Sequence, residues 1–301
     1  MTRRFMTLAW SAAVCTYLLI VLGAVVRITG SGMGCGDHWP LCNGRLFPPL
    51  DDIGTLIEWS HRLMAALVSI LVAALAIYDW WLHRPLRFAQ GRLSARLAVR
   101  PSAIALGLLI VQVLLGAITV WLELPAWSVV LHLGTAMLLL ATLLIAARGT
   151  TPGFRPGLAA AVAGLAFVTI LFGALTANLG AAAACGGFPL CNGQIWTTAG
   201  PLALIHWSHR LLAYALVVMA AVWAIRTPGT GPRLVLALVA LQIVVGAATV
   251  LLALPGGLQA AHVAVGTAVW AAVVIAAVSG SKQKAPAAPG PMLEDRPEAT
   301  A

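Results

Sequence analysis

Eight stretches of about 20 apolar residues, near 8–28, 57–82, 101–122, 127–147, 157–177, 202–225, 233–253 and 259–279, decide what this chain can fold into. Each matches the hydrocarbon thickness of a bilayer, where a helix satisfies its own backbone hydrogen bonds without a neighbouring strand. The short alternating segments of a porin-type barrel do not occur. Composition agrees: 61% of the 301 residues are hydrophobic and 9% are charged, too little charge for a polar skin around a soluble core and too much apolar surface for a disordered chain. The predicted fold class is an all-α integral membrane protein. The first run, preceded by Arg3 and Arg4, continues to Ile28 without an evident small-residue cleavage site and is read as a transmembrane helix, not a signal peptide.

A formal charge of +9 would suggest nucleic acid in a soluble domain, but here the basic residues lie between apolar runs, where they set topology. Arg3, Arg4, Arg84, Arg87, Arg92, Arg96, Arg100, Arg148, Arg155, Arg226, Arg233, Lys282, Lys284 and Arg296 fall on one side, and only Arg27, Arg45, Arg62 and Arg210 on the other. The positive-inside rule puts both termini in the cytoplasm and the loops 29–56, 123–126, 178–201 and 254–258 outside. The segment 281–301, rich in Pro, Ala and charge, reads as a disordered cytoplasmic tail.

The chain also repeats itself. Gln112-Val-Leu-Leu-Gly116-Ala-Ile-Thr119-Val120 recurs as Gln242-Ile-Val-Val-Gly246-Ala-Ala-Thr249-Val250, and the same offset carries Pro125 to Pro255 and His132 to His262. Trp59-Ser60-His61-Arg62-Leu63 recurs as Trp207-Ser208-His209-Arg210-Leu211, and Pro40-Leu41-Cys42-Asn43-Gly44 as Pro189-Leu190-Cys191-Asn192-Gly193. Each copy holds an even number of spans, so the copies share one orientation. The expectation is two four-helix bundles, 1–150 and 151–280, related by a pseudo-twofold axis along the membrane normal.

Four histidines carry the chemistry. His61, His132, His209 and His262 each fall near the outward start of an even-numbered helix, two per bundle. One ionisable ring in a membrane helix is often a hydrogen-bonded packing residue, but four at matching depth in a duplicated frame point to ligation. Zinc wants more protein ligands than two rings supply, and the second bundle has no carboxylate or thiolate cluster at this depth. Haem needs only two axial nitrogens across an apolar slot, which Gly116, Ala117, Gly134 and Thr135, with Gly246, Ala247, Gly266 and Thr267, would open. Arg62 and Arg210 read either as contacts for haem propionates or as snorkelling anchors.

The copies differ where Glu58 stands three residues before His61 and His206 three before His209. A carboxylate on the ligand's face can accept a proton or stabilise a developing cation, which makes the first bundle the reaction site; the plainer readings are a helix cap or an ion pair with Arg62. Cys35 with Cys42 and Cys185 with Cys191 each close a short outer loop, predicting two disulfides on an oxidising face, as staples or as exchangeable thiols. Cys15, mid-helix, reads as a small apolar residue.

Arg27-Ile-Thr-Gly-Ser-Gly-Met-Gly-Cys35, Trp39-Pro40-Leu41-Cys42, Glu58-Trp-Ser-His61-Arg62, His132, His209-Arg210 and His262, set in two four-helix halves over about 8–280, resemble the haem A synthases of the Cox15/CtaA family. The resemblance implies oxidation of the C8 methyl of haem O to a formyl group through successive hydroxylations, giving haem A for cytochrome oxidase. It implies a bacterial plasma-membrane enzyme with haem sites toward the outer face. His209 and His262 would ligate the iron of a haem b that relays electrons, His61 and His132 would bind the substrate haem O, and Glu58 would be the catalytic carboxylate. Cys35 and Cys42 match the cysteine pair of one subclass. The implied partners are the haem O synthase (protohaem farnesyltransferase) and an electron donor.

Three other classes are open to the residues alone. A b-type electron-transfer cytochrome needs the same histidines but not Glu58. A quinol-linked thiol oxidant uses outer cysteines and leaves the histidines unexplained. A secondary transporter suits the repeat but calls for polar residues at mid-membrane, where these helices are apolar.

Overall fold

The computed structural model describes residues 2–49, 51–83, 100–149, 157–197 and 199–280. Among them are eight helices long and apolar enough to cross a membrane: α1 (Arg3–Ile28), α2 (Ile53–Leu82), α3 (Pro101–Trp121), α4 (Ala126–Ala147), α5 (Leu158–Asn178), α6 (Pro201–Arg226), α7 (Thr230–Leu251) and α8 (Gly256–Gly280). Several begin earlier than the apolar runs, because a helix extends through its polar ends. For α2 the cause is local: Asp52 caps it, its carboxylate accepting from the Thr55 backbone N–H at 2.6 Å. Residues Arg84, Arg87, Arg92, Arg96, Arg155, Lys282, Lys284 and Arg296, and the expected tail 281–301, lie outside the described residues.

The repeat is visible in the hairpins. Between α3 and α4, Glu123 and Leu124 take φ of 58° and 62°, and between α7 and α8, Ala253 and Leu254 take 60° and 62°. The Leu124 and Leu254 N–H groups donate to Thr119 and Thr249 carbonyls, both at 2.8 Å, and Pro125 and Pro255 then begin the next helices. Two left-handed residues followed by proline turn the chain through a tight reversal with its last carbonyls satisfied.

Within the first half α1 packs on α2 and α4, and α3 on α2 and α4; within the second, α5 packs on α6 and α8, and α7 on α6 and α8. Across the halves α1 meets α8, and α4 meets both α5 and α8. Side chains tie this seam. Trp270 Nε1 donates to the Met137 carbonyl at 2.8 Å, Tyr17 Oη to that of Ala264 at 2.9 Å, Arg148 Nη2 to Ser279 Oγ at 2.7 Å, and Arg27 Nη2 to Gln259 Oε1 at 3.1 Å. Trp270 also lies against Phe167 of α5, ring centres 5.6 Å apart. Trp270→Phe, which removes the donor and part of the ring contact, is expected to cost about 1–2 kcal/mol, read as a lower thermal midpoint in detergent.

The larger apolar cluster occupies one part of the bundle, and a smaller one of Cys185, Cys191, Ala203 and Trp207 lies by the second disulfide loop. The buried core runs from Phe5 to Ile20 in α1, Val68–Leu75 in α2, Ala105–Leu109 in α3, Ala136–Ala147 in α4, Val162–Ala166 in α5, Leu216–Trp223 in α6, Val235–Val239 in α7 and Val269–Val274 in α8. All of it lies toward the end away from the disulfide loops. From His61, His209 and His262 the core is seven residues distant, about two helical turns. The histidine level lies between this core and the loops.

Candidate functional site

Each even-numbered helix sets its histidine against a glycine of the preceding odd-numbered one. A Cβ on Gly23 would stand 3.2 Å from His61 Nε2, and on Gly116 3.2 Å from His132 Cε1. On Gly173 it would stand 2.9 Å from His209 Cε1, and on Gly246 2.9 Å from His262 Cε1. Four rings thus lie directly on helix backbone, and any larger residue would push them out of place.

In the second half the rings of His209 and His262 are neighbours in a T-shaped arrangement, centres 6.4 Å apart and planes at 79°. Two metal–imidazole bonds of about 2 Å in line, with each ring centre about 1 Å behind its nitrogen, span about 6 Å. A spacing of this size could admit a metal ion between the two rings, which would then hold it. His209 Nδ1 lies 3.1 Å from the Thr169 carbonyl, and an N–H donated there leaves Nε2 with a lone pair. In the first half His61 and His132 occupy the equivalent places on α2 and α4, each against its glycine. Four buried side-chain atoms lack a hydrogen-bond partner among the described residues, Gln112 Oε1, His132 Nδ1, Gln242 Oε1 and His262 Nδ1, and all belong to this level. These imidazoles, their glycine cradles and the unpartnered ring nitrogens are a donor set that could hold a planar cofactor such as haem. No group of three or more His, Cys, Asp or Glu suited to a metal occurs among the described residues.

Above the rings lie the loops. Cys35 and Cys42 form one disulfide and Cys185 and Cys191 the other, with Cα atoms 4.3 Å and 4.8 Å apart. Glu58, 3% exposed, accepts the Cys35 backbone N–H on Oε2 at 2.8 Å, and Arg62 Nε and Nη2 on Oε1 at 3.1 and 2.5 Å. Arg62 Nη1 donates to the carbonyls of His38 and Leu41 at 2.9 and 2.5 Å. The ion pair expected as one reading of Glu58 is therefore present, and with it a contact the sequence does not announce, between the carboxylate and the disulfide ring.

The second half repeats this clamp with other chemistry. Arg210 donates to the carbonyls of Gly187 at 3.0 Å, Leu190 at 2.8 Å and Cys185 at 2.6 Å, and its Nε to His206 Nε2 at 3.3 Å. His206 Nδ1 lies 3.1 Å from the Ala181 carbonyl. Both arginines thus hold their loops, and in each one Nη2–H is not engaged by these bonds. Among the described residues, only the first half combines two such histidines with a buried carboxylate at this level.

The family model described as cytochrome oxidase assembly protein, COX15-CtaA, matches residues 6–274. The chain belongs to the COX15-CtaA family. It is 34% identical over 227 residues to a heme A synthase of Shouchella clausii, covering 70% of this chain and 72% of that one. To a heme A synthase of Bacillus licheniformis it is 33% identical over 267 residues, 81% of this chain and 85% of the other. A third relative of the same description, from Symbiobacterium thermophilum, is 34% identical over 226 residues, 68% of this chain and 70% of the other.

Some residues of this COX15-CtaA chain play other parts than the sequence suggests. Gly134, expected to open the slot, instead faces Leu171 of α5, 3.0 Å from where its Cβ would be, and so serves the seam between halves. Gly266 backs onto Gln242 Nε2 at 3.1 Å. Gly23 and Gly173, which cradle His61 and His209, are not singled out by the sequence, although Gly23-Ala24 and Gly173-Ala174 keep the spacing of Gly30 and Gly180 and so belong to the repeat.

Proposed function

We propose that this protein is a haem A synthase, oxidising the C8 methyl of haem O to a formyl group. The observation that carries the reading is the pairing of histidines against glycines in both halves with a buried carboxylate in only one, inside a chain of this family. The halves 1–150 and 151–280 are taken as twofold-related bundles. In the first, His61 and His132 receive haem O; in the second, His209 and His262 hold the iron of a resident haem b. Bound there, haem b supplies one-electron transfer.

The remaining work falls to the chain. The cradling glycines let each ring approach the helix backbone, and the apolar core excludes water from the opposite end. Cys35 N–H and Arg62 hold the Glu58 carboxylate in one orientation. The Glu58 carboxylate would stabilise positive charge that develops at the porphyrin edge while the methyl is oxidised, or take up the proton released as its C–H bond is replaced by C–O. The free Nη2–H groups of Arg62 and Arg210 are the remaining donors for propionates.

Eight membrane-crossing helices and bacterial relatives support a bacterial plasma membrane location, and the charge distribution supports cytoplasmic termini with the haem level toward the outer face. The haem O synthase would deliver the substrate, and a separate donor would supply electrons. The test is haem extraction and mass analysis from cells co-producing a haem O synthase with and without this chain. Haem A is expected only with it. Bound haem b beside unconverted haem O would replace this reading with that of a b-type electron-transfer cytochrome, which has the same histidines and no use for Glu58.

A further inference from the structure

The four unpartnered buried atoms form two matching pairs, Gln112 Oε1 with His132 Nδ1 and Gln242 Oε1 with His262 Nδ1. In each, one member can only accept and the other is a ring nitrogen able to donate. The side chains already touch through their other ends, Gln112 Nε2 to His132 Nε2 at 3.0 Å and Gln242 Nε2 to His262 Nε2 at 3.2 Å. An amide N–H in that contact takes the Nε2 lone pair, so the ring's proton sits on Nδ1 with nothing to receive it. The same arrangement at equivalent places of two halves marks a built feature.

We propose that Gln112 and Gln242 are positioning residues for His132 and His262, accepting the ring N–H on the amide oxygen and so leaving the other ring nitrogen's lone pair to a haem iron. Reorienting ring and amide in this way satisfies both unpartnered atoms at once. It rests on the reading that these histidines ligate haem. Histidines that bind metals generally donate their second nitrogen to a carbonyl, carboxylate or water, which fixes the tautomer and raises ligand basicity. His209 has such a partner in the Thr169 carbonyl at 3.1 Å. His262 has no backbone carbonyl in that role among its described contacts, and Gln242 takes its place. The amide is anchored at one end, since Nε2 also donates to the His262 carbonyl at 3.0 Å, in room left by the missing side chain of Gly266. Gln112 does the same for the substrate-side ring, where it would orient a haem that comes and goes.

The test is redox titration of the purified, haem-loaded protein with Gln242 replaced by leucine or by glutamate. Glutamate is a stronger acceptor and makes the ring a better donor to ferric iron, so its midpoint potential is expected to fall; leucine accepts nothing, so its potential is expected to rise. A tenfold change in the relative binding of the two oxidation states corresponds to about 59 mV for one electron, and shifts of about that size in opposite directions are expected. Gln112→Leu should leave this potential unchanged. A residue that only fills space would lower haem retention in both Gln242 variants without opposite shifts, and that result, or an unmoved potential, overturns the proposal. If the glutamate variant does not assemble, leucine alone decides, by a raised potential or by none. A parent protein without a low-spin, two-histidine haem spectrum would overturn the underlying haem reading instead.

Discussion

Glu58→Gln is expected to reduce conversion of haem O to haem A by at least about a hundredfold, the usual contribution of a positioned acid or base, while the haem spectrum of the second half is unchanged. Glutamine preserves the shape, and its oxygen can still accept the Cys35 N–H, which now meets Glu58 Oε2 at 2.8 Å. It loses the charge, and if that oxygen stays on Cys35 its amide N–H groups face those of Arg62. Part of any loss could then come from a loosened loop. Arg62→Gln separates the two causes, since it releases the His38 and Leu41 carbonyls and leaves the carboxylate in place. The expected order of activity, by chromatography of extracted haems, is parent above Arg62→Gln above Glu58→Gln. Haem A production at the parental rate by Glu58→Gln would remove this residue from the mechanism.

His209→Ala and His262→Ala are each expected to lower bound haem by more than about tenfold, measured as reduced-minus-oxidised absorbance per protein, because a single remaining ring holds the iron from one side only. Gly246→Val should do the same without removing a ligand: even its Cβ would stand 2.9 Å from His262 Cε1, and the branched side chain needs more room still. His61→Ala should retain the second-half haem and lose turnover. A purified His262→Ala protein with an unaltered spectrum would contradict the assignment.

The spans were legible because a bilayer demands about 20 apolar residues per helix, a constraint so coarse that hydropathy alone finds it. Helix starts were less so, as Asp52 shows: its cap is a matter of one side-chain bond, and α2 begins at Ile53, not at 57. The histidines stood out through repetition and the rarity of ionisable groups in membrane helices. Their glycine partners did not, because which of many glycines faces a ring depends on helix rotation, which uniformly apolar runs leave open. Gly134 illustrates it, having the right neighbour in sequence and facing the wrong way. The arginine clamps were hidden for a different reason: backbone carbonyls of a loop have no signature in the side-chain sequence.

The placement of the larger buried cluster at the end of the bundle away from the loops bears on how such a protein is made. Its foundation is closed by its own side chains, from Phe5 on α1 to Val274 on α8. The ring level is added on top of a finished base. On the proposed haem reading, insertion and packing of the chain would not wait for the cofactor, and protein made in haem-depleted cells is expected to be inserted in the membrane and to take up haem when it is supplied afterwards.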